Sequence, residues 1–135
     1  MAFFTWSDSY TVGVRRFDAE HQGLIQITNE LFDGMKAGKG KDVLAGVLAK
    51  LIRYTEQHFA SEEEVMGAKG YANLQAHVAE HRQFTRKVKE FEAQYRAGAV
   101  AITIEVLDFL RDWLVTHIGG TDKSYMTYLN EKGVR

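Results

Sequence analysis

Apolar residues recur along this chain at spacings of three and four over four long stretches, a pattern that predicts four amphipathic helices. The first runs from about Asp18, read as its N-cap, to about Ala37, with Leu24, Ile25, Leu31, Phe32 and Met35 on one stripe. The second runs from about Asp42 to Met66, with Leu44, Leu48, Leu51 and Phe59 inward and Gly67 and Gly70 closing it. The third runs from about Asn73, another N-cap, to about Ala97, carrying Leu74, Val78, Phe84, Val88, Phe91 and Tyr95. The fourth runs from about Ala101 to Ile118, with Val106, Phe109, Leu110, Trp113 and Leu114 inward; Gly119-Gly120 breaks it, and a short helix follows from Thr121 or Asp122 to Glu131. Residues 1–17 are aromatic-rich and lack periodicity. They read as an extended arm held on the helices by Phe3, Phe4, Trp6, Tyr10 and Val14.

There is no Pro, and Gly falls mainly between the stripes, so long helices joined by short turns are expected. Short connections favour antiparallel neighbours. The expected fold is all-α: an up-down-up-down antiparallel four-helix bundle with an extended N-terminal arm and a short C-terminal helix. Its 135 residues suit a single domain over 1–135, with the bundle at about 18–131 and no signalling domain attached.

Composition narrows the function. A net charge of −1 gives no bulk electrostatic pull toward nucleic acid or an anionic membrane. The cluster Arg82, Arg86, Lys87, Lys89 reads as a solvated face. No apolar run approaches the ~20 residues of a membrane span, and the start lacks the basic and apolar regions of a secretory signal. There is no Cys, which excludes thiolate metal sites and fits a cytoplasmic location.

The stripes carry polar intruders. All five His of the chain fall on them: His21, His58, His77, His81 and His117. Glu62 follows His58 by one turn, and Asp122 follows His117 by five residues, within reach if Gly119-Gly120 turns the backbone. In an antiparallel bundle the starts of the first and third helices share an end with the finishes of the second and fourth. All seven side chains therefore fall in one layer. An unpaired buried polar group costs about 1–3 kcal/mol, and metal ions are the economical way to satisfy seven at once. Taken singly, each His reads as a hydrogen-bonded core residue, Glu62 as part of an acidic surface run and Asp122 as a cap; the conjunction carries the inference. Five imidazoles and two carboxylates are too many for one ion and suit two, with the carboxylates bridging. Three His on one ion and two on the other leave one open coordination position. Imidazole suits Fe, Zn, Cu and Ni.

The strings His58-Phe59-x-x-Glu62-Glu63, His77-x-x-x-His81, Trp113-Leu114-x-x-His117-Ile118 and Asp122-x-x-Tyr125, with Asp18-x-x-His21 upstream, resemble hemerythrin. The likeness covers nearly the whole chain, including Trp6 and Val12-Gly13-Val14 of the arm. It implies a centre of two iron ions, bridged by Glu62, Asp122 and an oxo or hydroxo group, that binds O2 reversibly. By position, His77, His81 and His117 hold the coordinatively full iron, and His21 and His58 hold the open one. Leu24, Phe59, Trp113, Leu114 and Ile118 line the O2 pocket and keep water and protons out. Glu20 and Tyr125 are candidates to orient an imidazole or a bridging carboxylate. Gly23 and Gly34 interrupt the first helix, and no Pro follows Tyr71, where relatives often have one.

The leading expectation is therefore O2 storage, transport or delivery, with an O2-consuming enzyme as recipient and no enzymatic activity of its own. The alternative is O2, NO or redox sensing or scavenging at the same site, with NO or other small anions at the open iron. A two-metal hydrolase needs an open polar cleft, which the apolar surroundings disfavour; a metal-free scaffold leaves the seven polar groups unexplained.

Overall fold

The computed structural model describes residues 3–135; Met1 and Ala2 of the expected arm lie outside the described residues. The described residues form helices and turns: α1 (Arg15–Lys36), α2 (Lys41–Ala68), α3 (Leu74–Arg96), α4 (Ile104–Thr116) and the short α5 (Met126–Glu131). Helix α1 packs against α2 and α4, and α2 packs against α3. The long helices make the four-helix bundle that the apolar periodicity predicts.

Several boundaries differ from the sequence expectation. Helix α1 begins at Arg15, three residues before Asp18, with Val14 as an N-cap that offers no side-chain bond. Asp18 turns backwards instead, and its Oδ1 accepts the Val12 N–H at 2.7 Å. It pins the arm to the first turn of the helix. Asn73 holds the N-cap position of α3 without a side-chain cap bond. Helix α4 starts later than expected, at Ile104, because Thr103 is the cap and accepts the Val106 N–H through its hydroxyl. Gly67 lies inside α2. The helix closes at Gly70, whose φ of 70° is left-handed, as the Tyr71 N–H reaches back to the Met66 carbonyl at 2.9 Å.

The largest departure follows α4. Gly119-Gly120 does not break the helix; neither glycine has positive φ. The chain continues as a π-turn (His117–Thr121), with the Asp122 N–H bonded to the His117 carbonyl, then as a 3-10 turn (Asp122–Tyr125) into α5. A five-residue hydrogen-bond register brings residues five apart onto a common face, which an α-helix does not. That is how His117 and Asp122 come to face the same point.

The arm crosses the bundle as a mostly extended segment with one 3-10 turn, Asp8–Tyr10. Phe4 is buried, and its backbone N–H and carbonyl are both bonded to the Asn29 side chain at 2.7 Å. Phe3 stacks on Phe32 at 4.5 Å. One buried core fills the bundle around Leu31, Leu48, Leu51, Leu107 and Leu110. A second, built from Val12, Val14, Phe17, Met66, Tyr125 and Leu129, closes one end and lies beneath the polar layer.

Two glycines give opposite expectations. Gly46 is exposed within α2, and a Cβ there meets nothing within 4 Å. Gly46→Ala is expected to stabilise the chain by about 0.5–1 kcal/mol. Gly23, within α1, receives the Tyr54 hydroxyl where a Cβ belongs. Gly23→Ala is expected to destabilise by about 1–3 kcal/mol through overpacking. Calorimetric melting of the two variants checks the pair; equal shifts would contradict it.

Candidate metal centre

Each helix brings its share of the polar layer by simple register. His21 is near the start of α1. His58 and Glu62, one turn apart, are toward the end of α2. His77 and His81, one turn apart, open α3. His117 and Asp122 bracket the π-turn. All seven are buried, Glu62 and Asp122 with no exposed surface at all.

The structure brings the seven together as two overlapping donor groups. One holds His77, His81, His117, Glu62 and Asp122; the other holds His21, His58, Glu62 and Asp122. Within each group one ligand-type atom from every residue lies within 4.8 Å of all the others. Both carboxylates belong to both groups. Asp122 Oδ1 is 2.7 Å from His77 Nε2 and 3.0 Å from His117 Nε2, while its Oδ2 is 3.0 Å from His21 Nε2. Glu62 Oε1 is 3.3 Å from both His58 Nε2 and His81 Nε2, and Oε2 is 3.4 Å from His21 Nε2.

Of these contacts only that between His77 Nε2 and Asp122 Oδ1 is made as a hydrogen bond. His21 Nε2, His58 Nε2, Glu62 Oε1 and Asp122 Oδ2 are buried and have no hydrogen-bond partner. His81 Nε2 and His117 Nε2 face each other at 3.0 Å, so their two ring nitrogens are directed into the same space. Unpaired donors and acceptors at this depth cost about 1–3 kcal/mol each. Cations placed between them would satisfy all of them together. The residues present therefore fit a pair of metal ions, and the neutral-nitrogen and carboxylate donors suit a transition metal.

Outside this layer a set of carboxylates fixes the imidazoles from behind. Glu20 of α1 bonds His58 Nδ1 at 2.6 Å, Glu63 of α2 bonds His81 Nδ1 at 2.9 Å, and Glu80 of α3 bonds His117 Nδ1 at 3.1 Å. Each helix thus holds an imidazole of the next. In the neutral ring, Nδ1 donates to its carboxylate and Nε2 keeps a lone pair made more basic by that bond. Glu63 and Glu80 escaped the sequence reading. Their signal is a Glu flanking an inward residue on the side facing the next helix: Glu63 beside Glu62, Glu80 beside His81. The Thr121 hydroxyl donates to Glu80 at 2.9 Å and steadies it. The Tyr125 hydroxyl donates to Glu62 Oε2 at 2.7 Å.

Aromatic rings clamp the layer from the core side. Phe59 lies flat on His81, with centroids 3.7 Å apart and planes 3° apart, and Trp113 stacks on His117 at 4.4 Å. Leu24, Leu114 and Ile118, each one turn or less from a layer histidine in sequence, are fully buried in the same core.

The charges are mutually adjusted. Burial pushes the Glu62 carboxyl up, but the His58 charge and the close ring nitrogens of His21, His58 and His81 hold it well below its ordinary range. Burial and the Glu62 charge raise Asp122, yet His117 and His21 bring it down on balance. Burial lowers His58, but the Glu62 charge and the Glu20 hydrogen bond push it up to about 10. His21 and His117 are raised too, by Asp122 and Glu62 against the effect of burial.

A pH dependence follows for protein stripped of metal by a chelator. The raised imidazoles contribute stability in full below about 6.5, and this is lost as pH climbs through their raised values toward about 10. The lowered carboxylates contribute in full above about 4.5, and this is lost as pH falls through their depressed values. The stripped chain is expected to melt highest between about 4.5 and 6.5 and progressively lower toward pH 10. Because the same protons must leave before metal binds, loading at pH 7 releases protons. Melting against pH, and loading heats in buffers of different ionisation enthalpy, check both; a flat profile from pH 6 to 10 would contradict the reading.

The family profile described as the hemerythrin HHE cation binding domain matches residues 12–129. The chain is 34% identical over 126 residues to a bacteriohemerythrin of Methylococcus capsulatus, covering 93% of this chain and 95% of that protein. It is 33% identical over 126 residues to a bacteriohemerythrin of Pseudomonas aeruginosa, covering 93% and 81%. A solved wild-type hemerythrin superimposes with a TM-score of 0.88 at 34% identity, covering 95% of this chain and 98% of that one. Fold, matched length and identity agree, and this chain belongs to the hemerythrin family.

Proposed function

We propose that the chain binds O2 reversibly at a pair of iron ions and serves to store or deliver it. The observation that carries this reading is the asymmetry of the two donor groups, three imidazoles against two around a shared pair of carboxylates. In this reading His77, His81 and His117 would hold one ion and His21 and His58 the other, with Glu62 and Asp122 available to both. The two-histidine group offers one protein donor fewer, which would leave room there for a small exogenous molecule. Two ferrous ions bound there would supply reversible two-electron chemistry toward O2.

The remaining work falls to the protein. Glu20, Glu63 and Glu80 hold the Nδ1 side of His58, His81 and His117 and so turn each Nε2 into the layer. Tyr125, whose hydroxyl is held protonated by burial and by the Glu62 charge, fixes one oxygen of that carboxylate. Leu24, Leu114 and Ile118, with Phe59 and Trp113 stacked on His81 and His117, form a dry cover that denies protons and water to the bound gas. Imidazole-rich ligation, in place of a carboxylate-rich set, disfavours high-valent iron and so favours carriage over oxidation.

The test is a cycle. Iron-loaded protein, reduced without oxygen, is exposed to O2 and then returned to vacuum while its visible spectrum is followed. A band that appears with O2 and disappears without it is the expected result. A single irreversible oxidation would overturn the reading.

A further inference from the structure

Three surface grooves reach the edge of a layer imidazole, and they differ in charge. The groove beside His58 contains Arg16, but that guanidinium is tied to Glu20 at 3.2 Å and to Ser61 at 2.8 Å. The groove beside His77 is lined by neutral groups and Glu80, with no cation. The third, about 410 Å³ between α2 and α3, has Phe59, Ala60 and His81 as its floor and Arg82, Thr85 and Arg86 along one wall.

In this third groove the acids are already engaged. Glu63 holds His81, and Glu56 is paired with Lys89 at 2.9 Å. Arg82 and Arg86, one turn apart on α3, are exposed and have no ion pair or side-chain hydrogen bond among the described residues. Free guanidinium groups so placed are suited to carboxylates presented by another surface. The opening is wide for one small anion, and the arginines are exposed rather than built into a buried anion site. Beneath them, the Phe59 ring lies on the His81 ring at 3.7 Å. The surface is there only one side chain from an imidazole of the three-histidine group.

Resting on the di-iron reading above, we propose that this groove docks an acidic one-electron carrier protein, which restores oxidised iron to the ferrous state by way of His81. Each carrier molecule gives up one electron and is itself oxidised. Two are consumed per chain to return a diferric pair to the diferrous state, and no atom is transferred. Arg82 and Arg86 steer the encounter and set its register, so they govern association and not the O2 cycle.

The experiment uses the full iron-loaded chain in its diferric form and a purified acidic [2Fe–2S] ferredoxin as probe. Stopped-flow reduction is compared for the natural chain, Arg82→Glu/Arg86→Glu and Arg82→Lys/Arg86→Lys, with neutral reduced lumiflavin as the reference donor. Charge reversal is expected to slow ferredoxin reduction by about tenfold or more at low salt. It is also expected to abolish the fall in rate with ionic strength, while the lysine variant retains most of the rate. Lumiflavin reduction stays within about twofold throughout, as expected for a reductant that needs no charge steering. Oxidised ferredoxin binds the natural chain in titration calorimetry and does not bind the reversed one.

Equal ferredoxin rates in the natural and reversed chains overturn the proposal, as does an equal slowing with lumiflavin. Saturable binding of inorganic phosphate without ferredoxin binding overturns it in favour of a small-anion site. The O2 cycle is scored first on the natural chain, so failure of the di-iron reading shows itself before any carrier is added. The calorimetric binding needs no electron acceptor and decides the docking surface in either case.

Discussion

Asp122→Asn protein is expected to hold at most about one iron per chain where the natural chain holds about two, one for each donor group. Asp122 is completely buried and belongs to both groups, touching His77 and His117 through one oxygen and His21 through the other. Asparagine keeps the shape but offers a single neutral acceptor oxygen, so it cannot bridge. It also strips a counter-charge from raised imidazoles that no water reaches. Removing one partner of a buried charged cluster costs about 3–5 kcal/mol. The metal-stripped variant is therefore expected to melt lower as well, most clearly at acidic pH where the imidazoles are charged.

Glu20→Gln is the natural contrast. Glu20 is partly exposed, is paired with Arg16 on its outer side and, among the seven layer residues, touches only the outer nitrogen of His58. Its amide can still accept that bond, so the expected loss is about 10–100-fold in affinity on the two-histidine side, with both ions retained at saturating iron. Iron analysis after equilibrium dialysis separates the two outcomes. If Asp122→Asn retained two tightly held ions, the bridging role would be wrong.

The second large effect concerns Leu114. It is fully buried one turn before His117, and truncation to Ala leaves a cavity beside the layer. The stability cost is about 2–5 kcal/mol. On the reading above, the O2-loaded protein also decays faster, on the order of tenfold, because water and protons gain access. Leu110→Ala isolates that effect. Leu110 is as deeply buried, one further turn up α4 and away from the layer. It is expected to cost similar stability and to leave the decay unchanged. Equal decay rates in the two variants would remove Leu114 from the cover.

Much of this architecture was legible because helical periodicity is a strong code. Apolar stripes placed the four long helices, and the same register placed five histidines at one end. What escaped was local backbone chemistry. Asp18 resembles an N-cap, but its carboxylate turns back to Val12 and the helix starts three residues earlier. The Gly119-Gly120 pair resembles a break, yet the chain stays right-handed and widens into a π-turn. No propensity announces that choice; it brings His117 and Asp122 to one face and is held by the packing around them. Glu63 and Glu80 escaped for another reason. Each sits at the margin of a polar face, where an acid bonded to a neighbouring helix and an acid in water have the same sequence signature.

The most direct measurement is crystallographic: an anomalous difference map recorded at the iron absorption edge from iron-loaded protein. Two peaks are expected inside the buried layer, one flanked by His77, His81 and His117 and the other by His21 and His58, with Glu62 and Asp122 between them. A lone peak, or iron bound at the surface and not among these side chains, would contradict it.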